Sequence, residues 1–155
     1  EAGIDGLITV DLPPEEVAVM NAELQRHSID NIFLISPTTT EDRVITITEQ
    51  ASGFIYYVAL KGVTGAGHLD TEAVEAHLAI IRQYTDLPVA VGFGIKDAQT
   101  AARVAVCADA VVVGSALVDE IAADFSEHQN DARAIAIGAS LISSIRQGVN
   151  LATSN

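Results

Sequence analysis

Two glycine motifs carry the most readable chemistry in this chain: Gly92-Phe93-Gly94-Ile95 and Gly114-Ser115. Each closes a short apolar run, Pro88 to Gly92 and Ala110 to Gly114, that reads as a buried strand. Glycine carries no Cβ, so a bulky anion can come close to the backbone at such a position. Ser115 stands where a helix should open, and the free N–H groups and dipole of a helix N-terminus favour negative charge. Either motif alone could serve a tight turn. Two matched motifs at the ends of consecutive strands point instead to a phosphate grip, a feature that barrel enzymes often place after strands 7 and 8. A third segment, Gly62-Val63-Thr64-Gly65-Ala66-Gly67, has the composition of a lid that closes over a ligand, and equally that of a flexible connection.

Other site chemistries are excluded by what the motifs lack. No G-x-G-x-x-G opens a helix after the first strand, and no P-loop ends in Gly-Lys-Ser or Gly-Lys-Thr, which argues against nicotinamide, flavin and nucleoside triphosphate sites. His27, His68, His77 and His128 are too dispersed for a metal site, and His68 reads as a solvated loop residue. The single cysteine, Cys107, excludes an internal disulfide framework and fits a reducing compartment. Asp11 is the one acid expected at a strand end, where it could face a ligand, anchor a turn or meet a partner. Glu15-Glu16 reads as first-turn complementation of a helix dipole.

The charge balance narrows the partners. Among 155 residues the formal net charge is −13, and the basic residues are scattered, so no footprint for nucleic acid or for an anionic membrane is present. A phosphate must therefore be held mainly by backbone N–H groups. No apolar run approaches the ~18 residues of a membrane span, and no secretory leader is visible. The chain opens Glu1-Ala2-Gly3-Ile4 without an initiator Met, as a processed product or a fragment would.

The elements that must position these residues alternate regularly. Strands are expected at Gly6 to Asp11, Asn31 to Ser36, Phe54 to Leu60, Pro88 to Gly92 and Ala110 to Gly114. Between them, Val17, Met20 and Leu24 follow Pro13-Pro14 at helical spacing. Thr38 to Thr40 can cap a helix through about Gln50 with Val44 and Ile47 on one face. Val74, Leu78 and Ile81 mark the next helix, and Asp97 caps another running to about Cys107. Ser115 opens a further helix, and Ile135, Leu141 and Ile145 mark a last long one. Five βα units without a linker imply one α/β domain, residues 1–155, with a parallel sheet and right-handed connections. The pattern fits an open doubly wound sheet or an incomplete barrel, since a full barrel needs about 200 residues or more.

In their order, Asp11-Leu12-Pro13-Pro14-Glu15-Glu16, Lys61-Gly62-Val63-Thr64-Gly65, Gly92-Phe93-Gly94-Ile95 and Gly114-Ser115-Ala116 resemble the tryptophan synthase alpha subunits. The resemblance runs the length of the chain and implies a (β/α)8 TIM barrel, here from its fourth strand to the C-terminus. It also implies retro-aldol cleavage of indole-3-glycerol phosphate to indole and glyceraldehyde 3-phosphate, in a cytoplasmic complex with a beta subunit that holds pyridoxal phosphate. The alpha side would need no cofactor. On the same resemblance, Gly65, Gly94, Gly114 and Ser115 hold the phosphate, and Leu34, Tyr56 and Phe93 wall the indole. Thr64 belongs to the lid, and Asp11 and Pro13 face the beta subunit.

The family's two catalytic carboxylates precede the matched part of the barrel, so no residue here corresponds to them, and the 155-residue chain alone is expected to be inactive. Val106-Cys107-Ala108 departs from the glycine common before that strand. A barrel part also leaves an unpaired edge and a half-open apolar face, to be covered by the remaining barrel or by self-association. Two other readings stand beside this one: another phosphate-barrel enzyme acting on ribulose or ribosyl phosphates, and a non-catalytic half-barrel assembly module.

Overall fold

The computed structural model describes residues 3–10, 12–59, 71–92 and 94–153. Strands β1 (Gly6–Thr9), β2 (Asp30–Ile35), β3 (Ile55–Val58), β4 (Val89–Gly92) and β5 (Ala110–Val112) form one parallel sheet in the order β1-β2-β3-β4-β5. Six helices accompany them: α1 (Ala18–Arg26), α2 (Glu41–Gln50), α3 (Thr71–Ile81), α4 (Ala98–Ala105), α5 (Ser115–His128) and α6 (Asp131–Thr153). The sequential strand order separates the two architectures that the sequence left open. A doubly wound sheet reverses its direction of growth at a switch point, and these five strands never do. With right-handed crossovers, a sheet that always steps the same way collects its helices on one face. That is barrel winding.

The register sorts the two faces. Phe33, Ile55 and Val89 form one row, and Ile35, Tyr57 and Val91 the next; all six are buried in the core with Val44 and Ile47 of α2, Val74, Leu78 and Ile81 of α3, and Val104 of α4. Burying a side chain of this size contributes about 1.5–3 kcal/mol, so this layer dominates the stability. Leu34, Tyr56, Ala90 and Ala110 form a row on the opposite, inner face, where Leu34 and Tyr56 are half-buried and Ala110 is exposed. β4 is buried at all four positions, as its unbroken apolar run foretold. The edge strand β1 leaves Ile8 49% exposed, with Val10 beyond it 60% exposed.

Several expected boundaries shift. β1 ends at Thr9, short of Asp11, which lies outside the described residues. Pro14–Glu16 form a separate 3-10 turn before α1, and Glu15 meets Arg43 of α2 at 3.3 Å rather than serving only a helix dipole. α4 stops at Ala105, before Cys107, whose N–H turns back to the Val104 carbonyl. Ile135 does not mark the buried face of α6: it is 70% exposed, whereas Ala134, Gly138, Ile145 and Gly148 are buried. Small residues carry that face because α6 lies close against α4 and α5.

Polar ties close the end of the sheet where the strands begin. Asp109, just before β5, accepts from the Val89 N–H at 2.8 Å and from Arg82 at 3.0 Å, fixing the start of β4 to the end of α3. Under β2, Thr9 donates to the buried Asn31, which donates to Asn21 at 2.6 Å, and Asn21 donates to the Gln50 carbonyl at 3.0 Å.

Candidate functional site

The opposite end of the sheet, where the strands finish, carries the expected phosphate residues. Gly92 and Val112 are register partners at the ends of β4 and β5, so Gly94 and Gly114 each lie two residues beyond the same rung. Neighbouring strands run about 4.8 Å apart, so the two turns are adjacent. Gly94 has φ +80°, a conformation that other residues adopt only with strain, and it is exposed. Among the described residues, nothing lies within 4 Å of a Cβ built on Gly94 or on Gly114.

The start of α5 adds donors to this corner. Gly114 is its N-cap and provides no side chain, and the first ladder bonds run from Leu117 and Val118 to the Gly114 carbonyl. The amides of Ser115 and Ala116 therefore stand ahead of the ladder, beside the exposed Ser115 hydroxyl. At the neighbouring turn, Asp97 caps α4: its carboxylate accepts the Thr100 N–H at 2.7 Å in a full capping box. That backbone N–H, with help from the Thr100 hydroxyl, Lys96 and Arg103, holds the Asp97 carboxyl below its ordinary range against the push of burial. Asp97 thus serves as the cap of α4.

Leu34 and Tyr56 are brought together as expected. They are register partners on the inner face, and the Tyr56 ring lies over Gly92, one rung below the glycine turns. The sequence reading placed Gly92 in a phosphate motif and missed this packing role, which only the register reveals. Pro13 lines a hollow of about 350 Å³ with Val10, Leu12, Leu34 and Arg43 at the end of β1. Gly65, expected to hold phosphate, Thr64, expected in a lid, Phe93, expected against the indole, and Asp11, expected to face a partner, lie outside the described residues.

A cleft of about 330 Å³ between α1 and the end of α2 is lined by Asn21, Asn31 and Gln50, which are already bonded to one another. Among the described residues, no group of three or more His, Cys, Asp or Glu could hold a metal, and no helix is long and apolar enough to cross a membrane. Burial, with Glu75 nearby, pushes the Cys107 thiol up, which makes it a poor nucleophile.

A singly wound parallel sheet, with helices over one face and paired glycine turns at adjacent strand ends, defines part of a β/α barrel. The family model described as "Tryptophan synthase alpha chain" matches residues 1–146, and the chain belongs to that family. The tryptophan synthase alpha chain of Thioalkalivibrio sulfidiphilus is 59% identical over 133 residues, covering 86% of this chain and 48% of that relative. That of Thiobacillus denitrificans is 50% identical over 152 residues, or 98% of this chain and 54% of the relative. Among solved structures, the tryptophan synthase alpha chain of Legionella pneumophila subsp. pneumophila superposes with a TM-score of 0.80 at 37% identity, covering 99% of this chain and 55% of that one. The chain spans about half the length of the curated relatives it matches.

Proposed function

We propose that this chain is the phosphate-binding and indole-binding portion of a lyase that cleaves indole-3-glycerol phosphate to indole and glyceraldehyde 3-phosphate in tryptophan biosynthesis. The observation that carries the reading is the adjacency of the Gly94 turn and the Gly114-Ser115 helix start at the ends of β4 and β5, neither of them covered by a described residue. Backbone amides at the two turns and the Ser115 hydroxyl receive the phosphate oxygens, and the α5 dipole adds to the attraction. Gly65 supplies a further amide, and Thr64 in the lid helps to order the site.

Leu34, Tyr56 and Phe93 hold the indole ring. The half-buried positions of Leu34 and Tyr56 on the inner face support this, since a flat apolar ligand there would leave its glycerol phosphate reaching toward the strand ends. The proton transfers of the retro-aldol step fall to carboxylates outside this segment, and Asp97 is spent on its helix. Asp11 and Pro13 face a beta subunit in the cytoplasm, where pyridoxal phosphate resides; the alpha side works without a cofactor of its own.

The test is steady-state cleavage of indole-3-glycerol phosphate by the full-length protein, beside the 155-residue chain. Turnover by the full-length protein and none by the short chain supports the division of labour. Turnover of a ribosyl phosphate in place of the indole substrate would overturn the reading.

A further inference from the structure

Helix α6 makes the two most extensive helix–helix contacts among the described elements, one with α4 and one with α5. These are the helices that follow the two glycine turns. Ala134, Gly138, Leu141, Ile145 and Gly148 recur at spacings of four and three along α6 and so share one face. The two glycines stand where the neighbours come closest. A Cβ on Gly148 would lie 2.9 Å from both the Cα and the carbonyl carbon of Ala98, the first residue of α4. A Cβ on Gly138 would lie 3.0 Å from Ile121 Cδ1 and 3.2 Å from Leu117 Cδ1, in the first two turns of α5.

Glycine inside a helix is unfavourable relative to alanine, so both positions trade helix propensity for a close approach. Among the described residues α5 has no contact of similar extent with any strand, and its placement therefore follows α6. Near its C-terminal end α5 is tied down by Asp124, which accepts from Arg133 of α6 at 2.7 Å. A methyl at Gly138 would press on Leu117 and Ile121, in the first two turns of α5, and through them shift the Ser115 end of the helix about that tie. A wedge at Gly148 would push the start of α4 and, four residues earlier, the Gly94 turn.

We propose that α6 is the spacer that sets the two phosphate-gripping turns against each other, with Gly138 and Gly148 as positioning residues that never touch the ligand. The inference rests on the phosphate reading above and extends it to residues roughly 15 Å apart along one helix, at 1.5 Å per residue.

The experiment titrates inorganic phosphate into the full-length protein by calorimetry. The variants are Gly148→Ala, Gly138→Ala, Gly138→Ala with Ile121→Ala, Gly114→Asp, and Val44→Ala as a core-destabilised control away from both turns. Both glycine-to-alanine variants are expected to raise the phosphate Kd roughly tenfold, the scale of a sub-ångström to ångström misplacement. Ile121→Ala removes the atoms nearest the new methyl and should return Gly138→Ala toward the wild-type Kd, while Val44→Ala leaves binding unchanged. If Gly148→Ala fails to fold, Gly138→Ala and its rescue decide the matter, because the nearest neighbour of its methyl would stand at 3.0 Å, a contact that a shift of a few tenths of an ångström relieves.

Wild-type Kd values in both glycine-to-alanine variants, with Gly114→Asp binding no phosphate, would overturn the spacer and leave the grip standing. So would equal weakening by Val44→Ala, or no rescue by Ile121→Ala. Wild-type protein that binds no phosphate, or Gly114→Asp that binds it normally, would overturn the grip itself and the spacer with it.

Discussion

The side chain of Tyr56 crosses from β3 to lie over the bare Cα of Gly92 on β4, so that a methyl group on Gly92 would overlap the tyrosine ring and hydroxyl. The two residues are two positions out of register, since Tyr56 pairs with Ala90 and Gly92 with Val58. Gly92 thus makes room for a ring on the inner face immediately below the turns that carry Gly94 and Gly114. The tyrosine and the corner proposed to hold phosphate are joined by packing.

Gly92→Ala should therefore damage the site although alanine is the smallest possible addition. Overpacking of this kind costs about 1–3 kcal/mol, and part of it will appear as a displaced Tyr56. Tyr56→Ala combined with Gly92→Ala should lose less stability than the two single losses added together, because the shared clash is gone. Thermal unfolding of the four proteins measures this. Strict additivity would mean that the ring does not rest on Gly92.

Ser115→Asp tests the phosphate corner without disturbing a special backbone angle, which Gly94→Asp would do at φ +80°. A carboxylate at the first residue of α5 satisfies the helix dipole, so folding should be unharmed or slightly improved. It also puts a negative charge beside the phosphate, and like-charge contacts of this kind cost several kcal/mol. KM for the phosphorylated substrate should rise at least about tenfold with the melting temperature kept, since each tenfold is ~1.4 kcal/mol. An unchanged KM would remove Ser115 from the phosphate site.

Much of this architecture could be read from the sequence because buried parallel strands are nearly continuous apolar runs. Val89–Gly92 is one, buried on both faces, and the faces of α2 and α3 were legible from Val44, Ile47, Val74, Leu78 and Ile81. Strand order was not legible, since five βα units satisfy two windings and local pattern carries no information on which edge grows. In α6 the helix was legible but its buried face was not. Its buried face is built from Ala134, Gly138 and Gly148, small residues that give no apolar signal, while Ile135 points to solvent. At the site, glycine at two successive strand ends was visible as a motif. The packing of Tyr56 on Gly92 and the bracing of both turns by α6 depend on register and helix crossing, which no linear spacing records.

Asp109 should make the protein sensitive to acid. Burial pushes its carboxyl up, but the Val89 N–H and the Arg82 guanidinium outweigh that and hold it below the ordinary carboxylate value. A depressed folded value means stability that is present above the unfolded carboxylate range, about 3.9, and lost as pH falls through the folded value. Asp109→Asn should be less stable than wild type at neutral pH, with the gap narrowing as pH drops below about 4. Unfolding curves across that range check it, and a gap independent of pH would show that the charge on Asp109 contributes nothing.

Tyr57 predicts the opposite limb of the stability profile. Its side chain is 1% exposed in the core beneath α2 and α3, and burial raises its phenol from 10.0 to about 12. The folded state favours the neutral phenol, so the associated stability is complete below the unfolded value near pH 10. It is lost as pH rises from there through the folded value of about 12. Tyr57→Phe keeps the ring, which stacks at a tilt 5.9 Å from His77, and removes only the ionisable hydroxyl. Between pH 10 and 12 the wild-type melting temperature should fall more steeply than that of Tyr57→Phe. Every other side chain is common to the two proteins, so the difference in slope isolates Tyr57. Parallel curves would mean that its hydroxyl reaches water in the folded state, and that the core between β3 and α3 is looser than the packing of Leu78 and Ile81 implies.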